Sequence, residues 1–306
     1  MMSLFQLLPD EDLISAAGRW YLMTRVGSAY SSAHYMATLL NGRMPHHLCS
    51  TVTSQYLSEL RIDDRAKKAV EHSLAPFESS FLRDDERDIY QRSPSAITIT
   101  GVRSTHIQRF RWCAVCVMND EATFGVPYFH RNHQLPGVFH CDKHQEPLIE
   151  SCFACGWHIT SLAKQNLPPF DNICPNCNRS LESVEIQLSD SMQNIQRNSL
   201  ALARSTDCTD RLTPLITRVR ASVGLSSAQQ NTQAERKRLT EFCDAFIDFY
   251  SEDEIESLFS QVVDFKGRKI SKLMRSPRIK FIESRVAPIH PLLYLMLSLF
   301  LASQGD

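Results

Sequence analysis

Four short pairs of metal-ligand residues constrain this chain more than any other feature: Cys113-x-x-Cys116, Cys141-x-x-His144, Cys152-x-x-Cys155 and Cys174-x-x-Cys177. Each pair puts two donors on one tight turn, and two turns facing each other present four donors tetrahedrally, the geometry zinc prefers. The first two pairs are separated by 24 residues and the last two by 18. The second spacing is that of a compact zinc ribbon, with Gly156 and Pro175-Asn176 supplying the turns. An isolated cysteine is by default a small buried hydrophobe, but four regular pairings outweigh that reading here. It is kept for Cys49, Cys208 and Cys243, which lack a partner at ligand spacing. Two structural Zn2+ ions per chain are therefore expected, one on Cys113, Cys116, Cys141 and His144, the other on Cys152, Cys155, Cys174 and Cys177.

A secreted disulfide scaffold is the competing use of ten cysteines. The length of 306 residues and the opening MMSLFQLLPDED, which has no basic segment leading into an apolar core, argue against it. The apolar run 291–302 is too short to cross a bilayer, so a cytoplasmic protein is expected.

Both sites carry four protein ligands, whereas a hydrolytic zinc keeps one position open for water. Closed sites are structural. His133, His140 and His158 lie near the ligands, where surface or supporting roles are favoured over ligation. The His-x-Glu and Pro-Cys-x-x-Cys pattern of the nucleobase deaminases is absent. There is no glycine-rich phosphate loop, and Asp84-Asp85-Glu86 reads as a solvated charge run. No catalytic residues are assigned, and the chain is not read as an enzyme.

The rest of the chain is helical in pattern. Asp10 can cap a helix bearing Leu13, Ala16, Ala17 and Trp20. Further helices are expected over 31–42, 47–60 and from Asp64 to about Leu74, where Pro76 stops the pattern. Three short helices suit a helix-turn-helix unit or, equally, a plain helical core. Residues 189–221 also look helical, and the polar stretch SSAQQNTQ (226–233) reads as a linker before helices around 241–250 and 252–265. The fold class is thus mainly α with small β zinc-ribbon modules: an N-terminal helical unit (1–96), a tandem zinc module (97–188) and a C-terminal helical unit (189–306).

With 33 basic and 34 acidic residues the chain has no global field for nucleic acid, so any DNA contact must use local patches. One candidate is Arg103, Arg109 and Arg111 with Phe110 and Trp112 interleaved; the competing reading puts those aromatics in the core. A denser candidate runs through Lys266, Arg268, Lys269, Lys272, Arg275, Arg278, Lys280 and Arg285, with pairing to the acidic segment 252–256 as its alternative. The stripe 291–302 is read as buried, or else as a surface for a partner or a second copy of the chain.

The stretch CAVCVMNDEATFGVPYFHRNHQLPGVFHCDKH resembles the TniQ/TnsD family of transposon target-site selection proteins, with Phe124-Gly125, Phe129, Arg131, Leu135 and Pro136 in the family's positions. LPDEDLISAAGRW, MPHHL and HSLAPFESSF extend the likeness upstream, and RSPRIKFIESRVAPIHPLLYLMLSLFL is similar to the family's later helical region. Ala114 stands where the family usually has proline in the first knuckle. The resemblance spans roughly residues 7–180 and implies a non-enzymatic adaptor. Such an adaptor binds a target DNA site or a CRISPR effector (Cascade) complex, recruits the AAA+ ATPase TnsC and joins the bacterial nucleoid through DNA. Because the likeness is densest up to about residue 185, the ATPase-recruiting surface is expected there. A zinc-ribbon transcription regulator is the alternative function.

Overall fold

A computed structural model describes residues 6–24, 64–92, 109–159, 165, 167–205, 209–225, 232–260 and 289–305. The helices expected over 31–42 and 47–60, Arg103, Cys49, Cys208 and the basic run 266–285 lie outside these residues. The described helices in chain order are α1 (Leu13–Thr24), α2 (Arg65–Glu71), α3 (Ala75–Glu78), α4 (Asp84–Arg92), α5 (Ala114–Phe124), α6 (Asp190–Arg204), α7 (Leu212–Val223), α8 (Gln233–Asp248), α9 (Glu252–Leu258) and α10 (Pro291–Ser303). Two 3-10 turns, Arg131–Gln134 and Phe170–Asn172, lie between α5 and α6. Mainly α is therefore what the chain forms. The expected ribbons shrink to isolated antiparallel bridges, among them His140 with Pro147 and Ile173 with Ser180, each straddling a knuckle. No helix among the described residues is long and apolar enough to cross a membrane.

Local signals fix the helix ends. The Asp10 cap expected for α1 is not what forms: Asp10 has φ 59°, and the Asp12 carbonyl takes the N–H groups of Ser15 and Ala16. Pro76 does not merely stop a helix; it sits in the first turn of α3, where its missing N–H costs nothing. The single helix expected over 189–221 is two, because Asp210 accepts from the Leu212 and Thr213 N–H groups and starts α7 afresh. Thr232 and Glu235 form a capping box that begins α8 well before 241, and Ser251 and Glu254 repeat it for α9.

The LPDED segment is pinned to the aromatic stretch between the first two knuckles. Asp12 N–H donates to the Phe129 carbonyl (2.8 Å) and Arg131 N–H to the Asp10 carbonyl (2.7 Å). The Ser15 hydroxyl accepts from Phe129 N–H at 2.6 Å. Arg19 holds buried Glu11 through both carboxylate oxygens, at 2.7 and 2.9 Å. Two sequence-distant motifs thus become one rigid body around α1.

One apolar core crosses the boundaries expected at 96 and 188. It contains Leu74, Phe77 and Phe81 from the first segment, Cys113, Cys116, Leu135, Val138 and Cys141 from the second, and Ile195, Leu202, Val219, Phe246, Leu292 and Leu297 from the third. Cys243 lies in it too, as its hydrophobe reading expects. Helix α10 is apolar all round because it is surrounded: Leu292, Met296 and Leu297 are fully buried. The stripe 291–302 is therefore core and not an open partner face.

Gly137 makes this junction possible. Its φ is +77°, and a Cβ there would lie 2.8 Å from Ile195 Cγ2 and 3.0 Å from Leu292 Cδ1. Gly137→Ala should cost about 2–4 kcal/mol, combining left-handed strain with overpacking. Gly125→Ala makes the control: its φ is +75° but a Cβ meets nothing within 4 Å. Thermal melting should show a Tm loss for Gly137→Ala at least twice that for Gly125→Ala; equal losses would mean that α6 and α10 do not press on this turn.

Candidate metal centres

Three of the four knuckles share one backbone design. Cys141, Cys152 and Cys174 each donate N–H to the carbonyl five residues on (Glu146, Trp157, Arg179), and each accepts from the N–H four residues on (Gln145, Gly156, Asn178). That fourth residue has positive φ in every case, at 60°, 71° and 58°, so the chain reverses with the ligand side chains on its inside. Cys113 differs. It caps α5 with φ −105°, and Cys116 rides on the first turn of that helix.

These turns bring the donors together in two groups of four, Cys113, Cys116, Cys141 and His144, and Cys152, Cys155, Cys174 and Cys177, with a ligand atom of each member within 4.8 Å of the others. In the first group Cys116 and Cys141 Sγ are 3.7 Å apart, and His144 Nδ1 lies 3.6, 3.3 and 3.6 Å from the sulfurs of Cys113, Cys116 and Cys141. In the second, Cys152–Cys177 and Cys155–Cys174 are both 3.7 Å. A tetrahedron with zinc–sulfur bonds of about 2.3 Å and zinc–nitrogen bonds of about 2.0 Å has edges of about 3.8 Å between sulfurs and about 3.5 Å between sulfur and nitrogen. The donor spacing fits one ion per group. All seven cysteines are free of disulfides.

Protonation of the thiols points the same way. Thiol hydrogen bonds from Cys116 and Cys141 pull Cys113 down to about 3, while the same contacts push Cys116 far above the thiol range. In the second group the Asn176 amide, then the Trp157 N–H, lowers Cys155 to about 6. Cys177 rises to about 12: the Arg179 N–H lowers it, but desolvation and its three thiol neighbours outweigh that. Without a cation each cluster must share protons; a divalent ion is what lets every sulfur ionise together.

The surroundings of the two centres differ. Those of the first belong to the main core, whereas Cys152 and Cys174 belong to a smaller core with Phe110, Trp112, Val117, Phe129, Ile149 and Leu181. Asn119 places its amide 3.2 Å from His144 Nε2, and with Nδ1 on a metal the Nε2–H would meet the amide oxygen after a flip of that group. His133 is fully buried with Nε2 3.4 Å from Cys141 Sγ, a supporting N–H for that thiolate. His140 and His158 are in neither group of four.

Burial drives the His133 pKa down to about 4. A histidine depressed in the fold takes up its proton on unfolding, so the stability it permits at neutral pH is lost as pH falls from about 6.5 towards 4. His133→Gln keeps an N–H donor without titrating. Relative to that variant, the wild-type chain should lose up to about 3 kcal/mol between pH 7.5 and 4.5, read from denaturant midpoints. Parallel profiles would show that His133 does not titrate across this window.

Of the basic residues proposed for DNA, Arg109 is exposed and ion-pairs with Glu150 at 3.5 Å. Arg111 is a correction. It is buried, and its guanidinium donates to the carbonyls of Val138 and Leu135 at 2.5 and 2.8 Å, so it braces the Leu-Pro-Gly turn and has no free face for a phosphate. Phe110 and Trp112 are buried too, which decides for the core reading over stacking. Asp84 and Asp85 stay exposed at the start of α4, while Glu86 turns back to cap it. Residues that sequence reading did not single out are Asn119 and Gln134, whose amide pairs with both backbone groups of Arg111.

Fold and site together define a mainly helical protein braced by two closed cysteine/histidine centres. The TniQ family model matches residues 4–148, so this part of the chain is similar to a TniQ domain. The match takes in α1, its aromatic partner strip and the first centre, and ends before Cys152. No curated protein matches the chain. A TniQ domain links the chain to transposition.

Proposed function

We propose that the chain is a target-selection adaptor: it binds a target DNA site or a CRISPR effector complex and recruits the AAA+ regulator TnsC. The observation that carries this reading is the TniQ match over residues 4–148, within which the described residues pin α1 to the 128–131 strip with the first centre behind it. In this reading Zn2+ occupies both centres and is structural, held by Cys113, Cys116, Cys141 and His144 and by Cys152, Cys155, Cys174 and Cys177. The ions cross-link turns that few backbone bonds secure, and a rigid surface binds a partner at low conformational cost. The chain's own residues do the rest: His133 and Asn119 orient first-centre ligands, and Arg111 fixes the turn that joins the centre to α6.

DNA contact is assigned to the run 266–285, from Lys266 to Arg285, on its sequence alone. Elemental analysis of the purified full chain should give two zinc ions, and the chain should co-sediment with ATP-bound TnsC on DNA. Failure to co-sediment by a folded, doubly loaded chain would reject the adaptor reading. Lys269→Glu with Arg275→Glu should weaken direct DNA binding and flatten its salt dependence by about two phosphate contacts.

A further inference from the structure

We propose that the Cys152, Cys155, Cys174 and Cys177 centre is an oxidation-prone modification site, attacked first at Cys155 by small hydroperoxides, while the Cys113, Cys116, Cys141 and His144 centre is protected. This rests on the reading that both centres are metal-loaded, and it goes beyond that reading by giving them different chemical fates.

The contrast is one of access. All three sulfurs of the first centre are 0–3% exposed and sit inside the main core. Cys141 is further screened by the His133 ring, and the outer nitrogen of His144 faces Asn119. In the second centre Cys155 is exposed and Cys177 is half-buried. The two residues between the first two ligands do not cover them: Phe153 is 84% exposed and Ala154 is exposed too. The side chain nearest Cys155 outside the cluster is Asn176, whose amide lies 3.4 Å away on an exposed residue. A peroxide dissolved in water can reach a thiolate only where the sulfur meets water, and oxidation follows thiolate character and exposure.

Geometry also supplies the resolving partner. Cys155 and Cys174 sulfurs are 3.7 Å apart, and side-chain rotation can close such a gap to a disulfide bond of about 2.05 Å. With hydrogen peroxide, the Cys155 thiolate attacks one oxygen, the O–O bond breaks, and sulfenic acid and hydroxide form. Cys174 thiolate then attacks the Cys155 sulfur and expels a second hydroxide, leaving the disulfide. Two thiolates have lost two electrons, and the peroxide has taken them with two protons to give two waters. Cys152 and Cys177 remain as two donors, too few for a tetrahedral site, so the centre empties. A thiol reductant and zinc would restore it.

The test uses the full chain, first shown by elemental analysis to hold two zinc ions; a count below two would count against the loaded-centre reading and not against the difference in access. Hydrogen peroxide is added with a chromophoric zinc chelator, and cysteines are mapped by mass spectrometry after alkylation. One equivalent of zinc should appear at least tenfold faster than the other. The first modified peptides should carry a Cys155–Cys174 disulfide, with Cys113, Cys116 and Cys141 still free thiols. Cys155→His keeps a donor at that position and should slow the fast phase severalfold. Release of both equivalents in one phase, or oxidation of Cys113, Cys116 or Cys141 first, would overturn the proposal.

Discussion

Cys116→Ser should unfold most of the protein, whereas Cys174→Ser should cost one metal ion and leave the helical body intact. The difference lies in which core each centre supports. Cys113, Cys116 and Cys141 pack with residues of α3, α6 and α10 in the main core, so losing that centre releases both the N-terminus of α5 and the turn that Gly137 presses against Ile195. A structural zinc is worth roughly 10–16 kcal/mol in small metal-dependent folds, against a total stability of about 5–15 kcal/mol for a domain. No reserve would remain. Cys174 belongs to the smaller core around Trp112 and Ile149, whose loss leaves α6 to α10 packed. Circular dichroism with metal analysis separates the cases: helical signal and cooperative melting should vanish for Cys116→Ser and persist for Cys174→Ser. A folded Cys116→Ser chain with an unchanged Tm would show that the first centre is not structural.

The sequence carried the donor groups more completely than it carried the fold, for a physical reason. Knuckle ligands are close in sequence and their turn chemistry is local, so Cys141, Cys152 and Cys174 could be paired with their neighbours from spacing alone. Helix existence was legible for α1 and α6 from the sequence pattern, but boundaries failed where one side chain decides them. Asp210 splits 189–221 by two hydrogen bonds, and the Thr232-x-x-Glu235 box that opens α8 was readable but lay in what looked like linker. Arg111 could not have been placed, since its partners, the carbonyls of Leu135 and Val138, lie 24 and 27 residues away. Nor does a basic residue interleaved with aromatics reveal which way it faces. Nor does anything in the composition of 189–204 say that α6 docks on α3 and on the turn at Gly137, so the core that runs across positions 96 and 188 was not legible.

Truncation after residue 185 should therefore yield a fragment that does not fold, although the family likeness is densest in that part of the chain. Helix α6 supplies Ile195 and Leu202 to the core that also holds Leu74, Phe77 and Val138. Phe81 packs on Tyr294 of α10 with ring centroids 5.0 Å apart. Gln196 accepts from the N–H groups of both Phe139 and His140, at 2.8 and 3.0 Å, and Arg204 ion-pairs with Asp142 beside the Cys141 knuckle. Removing α6 to α10 exposes at least six large apolar side chains at about 1.5–3 kcal/mol each, a loss as large as the whole stability of an ordinary domain. The fragment should aggregate, or bind a hydrophobic dye and melt without cooperativity, while the full chain melts as one unit. The ATPase-recruiting surface then has to be located by exposed substitutions in the full chain, since a failure of the fragment to bind would report unfolding alone. A monomeric fragment of residues 1–185 that melts cooperatively with both metals bound would show that the N-terminal and knuckle segments carry a sufficient core of their own, and that α6 is an attachment to it.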